Sequence, residues 1–202
     1  MEEIEGEEYD DGPSYLEPSE IHGSALSMAL NSLQMLGGDP YLSMQSFNLD
    51  VVDQFIMRLE YEVLREYHRE ERLPGTAIFL SAQSQMWIFA AYELLRTWRG
   101  RAEKALMLHK NGGLGHKIAA LREDVGFLHV GRKIHADQLS ELVGSPKLVD
   151  RVREDLAITH IPFGCLDFPR VALAKHEVKG KRNSIEGDVP PSVEILEAVV
   201  AH

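Results

Sequence analysis

The chain has 202 residues, of which 44% are hydrophobic and 26% charged, a composition typical of one globular domain with a sizeable core. Its net charge is −11, but nine of its 32 acidic residues lie in the first 20 positions, which contain no Lys or Arg. The rest of the chain is nearly neutral, so the overall acidity does not exclude an anionic partner for a local basic patch. The single cysteine, Cys165, excludes a disulfide framework and a cysteine-based zinc site, and it is expected to be buried.

Residues 1–17 lack apolar periodicity, which predicts a disordered acidic tail ahead of a single helical domain over residues 18–202. Two roles are open for the tail: a solvating segment, or a detachable polyanion that covers a basic site elsewhere. The acidic start does not match a signal peptide, so a cytoplasmic location is expected.

The first two helices are delimited by caps and glycines. A helix is predicted to begin near Ser19 and to end at residues 37–38, a Gly pair, and residues 39–40 (Asp-Pro) are expected to form a turn. A second helix is predicted to begin at the cap Asn48 and to end before residues 74–75, a Pro-Gly break.

Residues 76–110 contain no Pro, and their apolar side chains recur at helical spacing on two stripes, which predicts one long helix buried on more than one face. Its longest unbroken apolar run, residues 86–92, is far shorter than the roughly 18–20 residues that a membrane span needs, so no membrane partner is expected. Trp87 and Trp98 lie eleven residues apart, on nearly the same helical face, and are expected to be core residues.

A fourth helix is predicted from His116 to Ala136, after a Gly-rich turn. Further along, Ser145 is expected to cap a short helix, residues 161–164 to form a loop, and Ser192 to cap a final helix. The pattern as a whole predicts an all-α fold. We expect a helical bundle of four main helices around the long central helix, with the shorter elements of residues 136–202 packed on the bundle.

The histidines show no Glu-x-x-His or His-Glu-x-x-His pattern, so neither a metal site nor a cofactor is expected. The densest positive charge lies in residues 170–182, RVALAKHEVKGKR, which contain one acidic residue, Glu177. The basic residues of this stretch are Arg170, Lys175, Lys179, Lys181 and Arg182. Such a cluster can bind phosphates, and a solvated loop is the alternative interpretation.

Arg170, followed after five residues by His176 within a helical protein, resembles the motif of the HEPN superfamily. The ribonuclease members of that superfamily carry Arg, four to six residues and His in a four-helix domain, and the stretch AAYELLRTWR resembles their long core helices. The resemblance implies a homodimer in which both copies contribute to a metal-independent RNA cleavage site of the toxin or defence type. Val171 departs from the family, where Asn, Asp or His usually follows the Arg.

On this interpretation Arg170 and His176 are the catalytic residues. The His176 imidazole would move a proton between the RNA 2′-hydroxyl and the leaving oxygen, and the Arg170 guanidinium would hold the scissile phosphate. The residues expected to follow the RNA backbone are Lys175, Lys179, Lys181 and Arg182.

Two other functions fit the same sequence. One is a non-catalytic helical protein that oligomerises or binds a protein partner. The other is a small-molecule sensor with a pocket among Met86, Trp87, Phe89 and Tyr92.

Overall fold

The computed structural model describes residues 18, 20, 23–123 and 130–175. These residues form seven helices and no strand, which confirms the all-α prediction. The helices are α1 (Ala25–Asn31), α2 (Pro40–Glu70), α3 (Thr76–Lys110), α4 (Leu114–Arg122), α5 (Val130–Gly144), α6 (Pro146–Ile158) and α7 (His160–Lys175). None of the helices in these ranges combines the length and the apolar character needed to cross a membrane. The chain divides into two units, residues 1–171 and 172–202, and the described part of the second is the last turn of α7.

The two longest helices, α2 and α3, pack side by side as an antiparallel hairpin. Helix α2 begins at Pro40, because the Asp39 carboxylate caps it by accepting hydrogen bonds from the amides of Tyr41 (2.9 Å) and Leu42 (3.1 Å). The predicted start at Asn48 was therefore wrong: the Asp-Pro pair is a helix start and not a turn. Helix α3 has the predicted bounds.

The prediction of one fourth helix from His116 to Ala136 was also wrong. Helix α4 ends at Arg122, where Glu123 takes an extended conformation with ψ 128°, and a separate helix, α5, begins at Val130 and packs against α4. Helix α6 begins after Ser145, as predicted. The predicted loop at residues 161–164 is instead part of α7, because a Pro in the first turn of a helix gives up no intrahelical hydrogen bond.

Between α1 and α2 the chain runs through the core instead of over the surface. We call residues 32–39 the core segment, and its most buried side chains are each at most 6% exposed. They are Leu33, Met35, Leu36 and Asp39. A buried segment without regular structure needs partners for its backbone amides and carbonyls.

Turns within the segment and the end of α1 pair most of its amides, and three further partners come from other helices. The indole nitrogen of Trp98 in α3 donates to the Gln34 carbonyl (2.8 Å), and the Gln34 amide donates to Oδ2 of Asp155 in α6 (2.7 Å). The carboxamide of Gln138 in α5 donates to the Met35 carbonyl (3.3 Å). Trp98 and Asp155 are fully buried, so these bonds are shielded from water and tie α3, α5 and α6 to the same segment.

Two arginines balance the buried carboxylates at this place. Nη1 of Arg101 lies 2.6 Å from Oδ2 of Asp39, and Nε of Arg151 lies 2.9 Å from Oδ1 of Asp155. Both carboxylates are almost completely buried, so each depends on its pairing and its hydrogen bonds.

The core segment also requires a glycine. A Cβ atom added at Gly37 would lie 2.1 Å from the backbone oxygen of Asn31, whereas one added at Gly100, within α3, would meet nothing within 4 Å. We expect Gly37→Ala to lower the free energy of unfolding by roughly 1–3 kcal/mol, because the backbone must shift to admit the methyl group. We expect Gly100→Ala to raise it by about 0.5–1 kcal/mol, because Ala is the better helix former.

Urea denaturation followed by circular dichroism measures both changes. A Gly37→Ala protein as stable as the native chain would contradict this account of the core segment.

Candidate functional site

Arg170 is the one member of the predicted catalytic pair whose side chain the structure describes. It lies in α7, where its guanidinium donates to Oδ1 of Asp167 through Nη2 (2.9 Å) and Nε (3.2 Å). The same group lies 4.2 Å from the centre of the Tyr92 ring of α3, a cation–π contact. The side chain is 30% exposed, so it is held in place and still reachable from solvent.

The contact continues through two rings. Tyr92 stacks on Phe163 of α7, with ring centres 5.0 Å apart and planes at 18°, and the guanidinium of Arg99 lies 5.1 Å from the Phe163 ring. Arg99 also donates to the Leu156 carbonyl at the end of α6 (3.1 Å). The two arginines and two rings together join α3 to α6 and to the part of α7 before residue 172.

Charge around Arg170 is partly balanced. The hydrogen bond to Asp167 raises the pKa of Arg170 above its usual value, so the guanidinium is a permanent cation. In the residue after Tyr92, Glu93, the hydrogen bond from Arg96 lowers the pKa, and the charge of Arg170 lowers it further. A fixed guanidinium of this kind can hold a phosphate, but its present partner, Asp167, would compete with that phosphate for its N–H groups.

The remaining predicted site residues are not placed. Lys175 ends α7, and its side chain lies outside the description. His176 and the predicted RNA-binding residues Lys179, Lys181 and Arg182 lie outside the described residues altogether, as do the acidic tail and the final helix. The pairing of Arg170 with His176 therefore stays a prediction.

The structure separates the four residues of the predicted sensor pocket. Met86 and Trp87 line an open groove between α2 and α3, while Tyr92 faces Phe163 of α7. Trp98 is a core residue, as predicted, and Trp87 is half-buried with its indole nitrogen donating to the Leu49 carbonyl (3.2 Å). Cys165 is exposed, so the expectation of a buried thiol was wrong: its segment is helical and turns the side chain outward.

A second feature is an apolar surface on the α2–α3 hairpin that the described part of the chain leaves uncovered. In α2 the side chains at positions 44, 47, 51 and 55 follow one another at intervals of three or four residues on the side away from the core. Phe79 of α3 reaches Phe55 edge-to-face, with ring centres 6.2 Å apart, and Met86 of α3 shares the groove with Val52 of α2. We call this surface the apolar face; its large side chains are Met44, Phe47, Val51, Val52, Phe55, Phe79 and Met86, which are 36–65% exposed.

The seven large side chains of the apolar face are uncharged, and charged residues stand at its edges, Arg58 one turn after Phe55 and Glu93 at the edge of the groove. No acidic or basic residue occurs in α3 between Thr76 and Tyr92. In α2 the acids nearest to the face are Asp50, which is buried, and Asp53, whose pKa is raised by burial and by the neighbouring Asp50. An exposed surface so depleted of charge is typical of an interaction site.

Neither the contacts of Arg170 with Asp167 and Tyr92 nor the apolar face was predicted from the sequence. The Asp-x-x-Arg spacing of residues 167–170 signals a helical ion pair, but the resemblance to a catalytic motif drew attention to His176 instead. The apolar face could have been found from the 17-residue stretch without charge at the start of α3, had the apolar side chains of that helix not been assigned to the core.

In the part of the chain that the structure describes, no three His, Cys, Asp or Glu side chains are grouped so as to hold a metal ion. Comparison with protein-family models, curated proteins and solved structures finds no match to the chain.

Because Arg170 contacts an aromatic ring, its substitution should lower Tm more than substitution of Arg153 in α6. Both arginines pair with an Asp three residues earlier, Asp167 and Asp150, but Arg153 has no ring contact among the described residues. We expect Arg170→Ala to lower Tm clearly more than Arg153→Ala does, because only the first change uncovers Tyr92. Differential scanning calorimetry of the two variants checks this, and equal Tm values would show that the cation–π contact contributes nothing.

Proposed function

We propose that this protein is a helical module that acts as a homodimer, in which two copies pair through the apolar face. The observation that carries the proposal is the row of large apolar side chains on α2 and α3 that the described residues leave uncovered. Contact of such side chains with water is unfavourable, and burial by a partner lowers the free energy.

The size of the apolar face fits a stable interface. The exposed parts of its seven large side chains amount to roughly 600–700 Å² per copy, close to the ~800 Å² that each partner contributes to a typical specific complex. Polar side chains of the groove, Gln45, Asn48 and Gln83, extend the surface and can supply the hydrogen bonds of a polar rim.

The charge of the face favours a second copy over an oppositely charged partner. In a twofold dimer a charge close to the axis lies next to its own copy, so an interface centred on that axis favours a surface with little charge at its centre. Residues 76–92 of α3 carry no charged side chain, Asp50 of α2 is buried, and Glu93, at the edge of the groove, is paired with Arg96. Two hairpins joined in this way form a four-helix arrangement, a common solution for dimers.

A charge placed in the centre of the face tests the pairing. We expect the native chain to be a dimer by light scattering and sedimentation, and Met86→Glu to weaken the dimer by at least about 100-fold, because two buried like charges would face each other. Met107→Glu is the matched control: Met107 is 54% exposed on the same helix, roughly 30 Å further along it.

A native chain that stays monomeric at high concentration would contradict the proposal. So would a Met86→Glu variant that associates as strongly as the Met107→Glu control.

A second candidate function is RNA binding and metal-independent RNA cleavage of the HEPN-like type. The observation in its favour is that Arg170 is fixed by Asp167 and Tyr92 and yet 30% exposed, as a phosphate-holding arginine must be. Helix α7 also presents exposed Ile161 and Phe168 (74% and 80% exposed), which a second copy would cover in a composite site.

Cleavage of RNA in the presence of EDTA tests this candidate. We expect His176→Ala and Arg170→Ala each to lower the rate by at least about 100-fold, because proton transfer and phosphate binding would be lost. Arg153→Ala should cleave as the native chain does. No cleavage by the native protein, or unchanged cleavage by both site variants, would refute catalysis without bearing on the dimer.

A further inference from the structure

A cleft of about 390 Å³ lies where the second half of α3 meets α4 and α5. Its lining combines apolar side chains, among them Leu108 and Leu139, with several basic groups, and none of the described residues that line it is a carboxylate. We call it the cationic cleft; its basic side chains are Arg96, Arg101, Lys104, Lys117 and His135.

The positive charge of the cleft is only partly neutralised. Arg101 pairs with Asp39 (2.6 Å), and Arg96 pairs with Glu93 (2.6 Å). Lys104 and Lys117 form no ion pair with any residue that the structure describes. The chain has a net charge of −11. The cleft therefore differs from the protein as a whole, because its two lysines leave it with a local excess of positive charge.

The pKa of His135 is shifted by burial and by the positive charges around the cleft. Burial lowers its pKa, and the charges of Arg101 and Lys117 lower it further, against smaller opposing effects of Gln138 and Asp39. The imidazole is thus neutral near pH 7, and the surrounding cations make it harder to protonate. A bound anion would act in the opposite direction and raise the pKa of His135.

We propose that the cationic cleft binds an oligophosphate group, either as a free anion or carried by a nucleotide. Arginine guanidinium groups offer paired N–H donors that match phosphate oxygens, and lysine ammonium groups add mobile point charges. Cations on α3 and α4 surround the cleft, so a ligand with several negative charges neutralises more of them than a single carboxylate can. The volume lies within the range of small-molecule sites, and the apolar floor leaves room for a part of the ligand beyond its phosphates.

The inference is independent of the homodimer. The apolar face is formed by α2 and the first half of α3, whereas the cleft is lined by residues 96–108 of α3 together with α4 and α5. A monomeric protein could bind the anion, and a dimer could fail to bind it.

Calorimetric titration of the full chain with tripolyphosphate and with ATP, both in EDTA at low salt, tests the proposal. We expect binding that weakens as salt is added and that falls at least tenfold in the double variant Lys104→Gln/Lys117→Gln. The matched control is Lys133→Gln/Lys147→Gln, which removes the same charge from exposed positions outside the cleft. The imidazole signal of His135 in NMR should show a higher pKa with ligand than without it.

Similar affinity for the two ligands assigns the site to the phosphate chain, and tighter binding of ATP assigns it to a nucleotide. The proposal is overturned if neither ligand binds at about 1 mM, if the cleft variant binds as tightly as its control, or if only RNA binds.

Discussion

The buried core segment, residues 32–39, is the constraint on which the rest of the structure depends. A segment without regular structure inside a core leaves amides and carbonyls that must find partners away from water. Trp98, Gln138 and Asp155 supply three of these partners from three different helices, and Asp39, at its end, starts α2 and binds Arg101 of α3. Each of these bonds fixes one helix relative to the segment, so the packing of α3, α5 and α6 follows from a few directional contacts as well as from apolar burial.

This arrangement also determines which surfaces remain free. The second half of α3 is surrounded by the core segment, α4, α5 and α6, and its basic side chains are gathered around the cationic cleft. The first half of α3 packs along α2 and meets α7 at Tyr92, and the apolar face lies on the outward sides of α2 and α3. The two proposals therefore concern opposite halves of the same helix: an uncharged half suited to a second copy, and a cationic half suited to an anion.

Much of the secondary structure could be predicted from local signals. The bounds of α3 follow from the Pro-Gly pair before it and the Gly-rich turn after it, and the all-α class follows from helical spacing. The start of α2 was misplaced because Asp-Pro serves both as a turn and as a capped helix start, and only the hydrogen bonds of Asp39 distinguish the two. The core segment could not be predicted, since its bonds join residues 64 to 121 positions apart. Nor could periodicity alone show that Phe79 and Met86 of α3 are exposed while Tyr92 and Leu95 are buried. The pairing of Arg170 with His176 stays a prediction.

Methyl NMR of methionine tests the central claim, that the apolar face is where two copies meet. Met44 and Met86 lie on the face, Met35 is buried in the core segment, and Met107 is exposed at the far end of α3. Over a dilution series, the account predicts that the methyl signals of Met44 and Met86 shift as the dimer dissociates, while those of Met35 and Met107 stay constant. Signals of Met44 and Met86 that do not change with concentration, or that change no more than that of Met107, would contradict it.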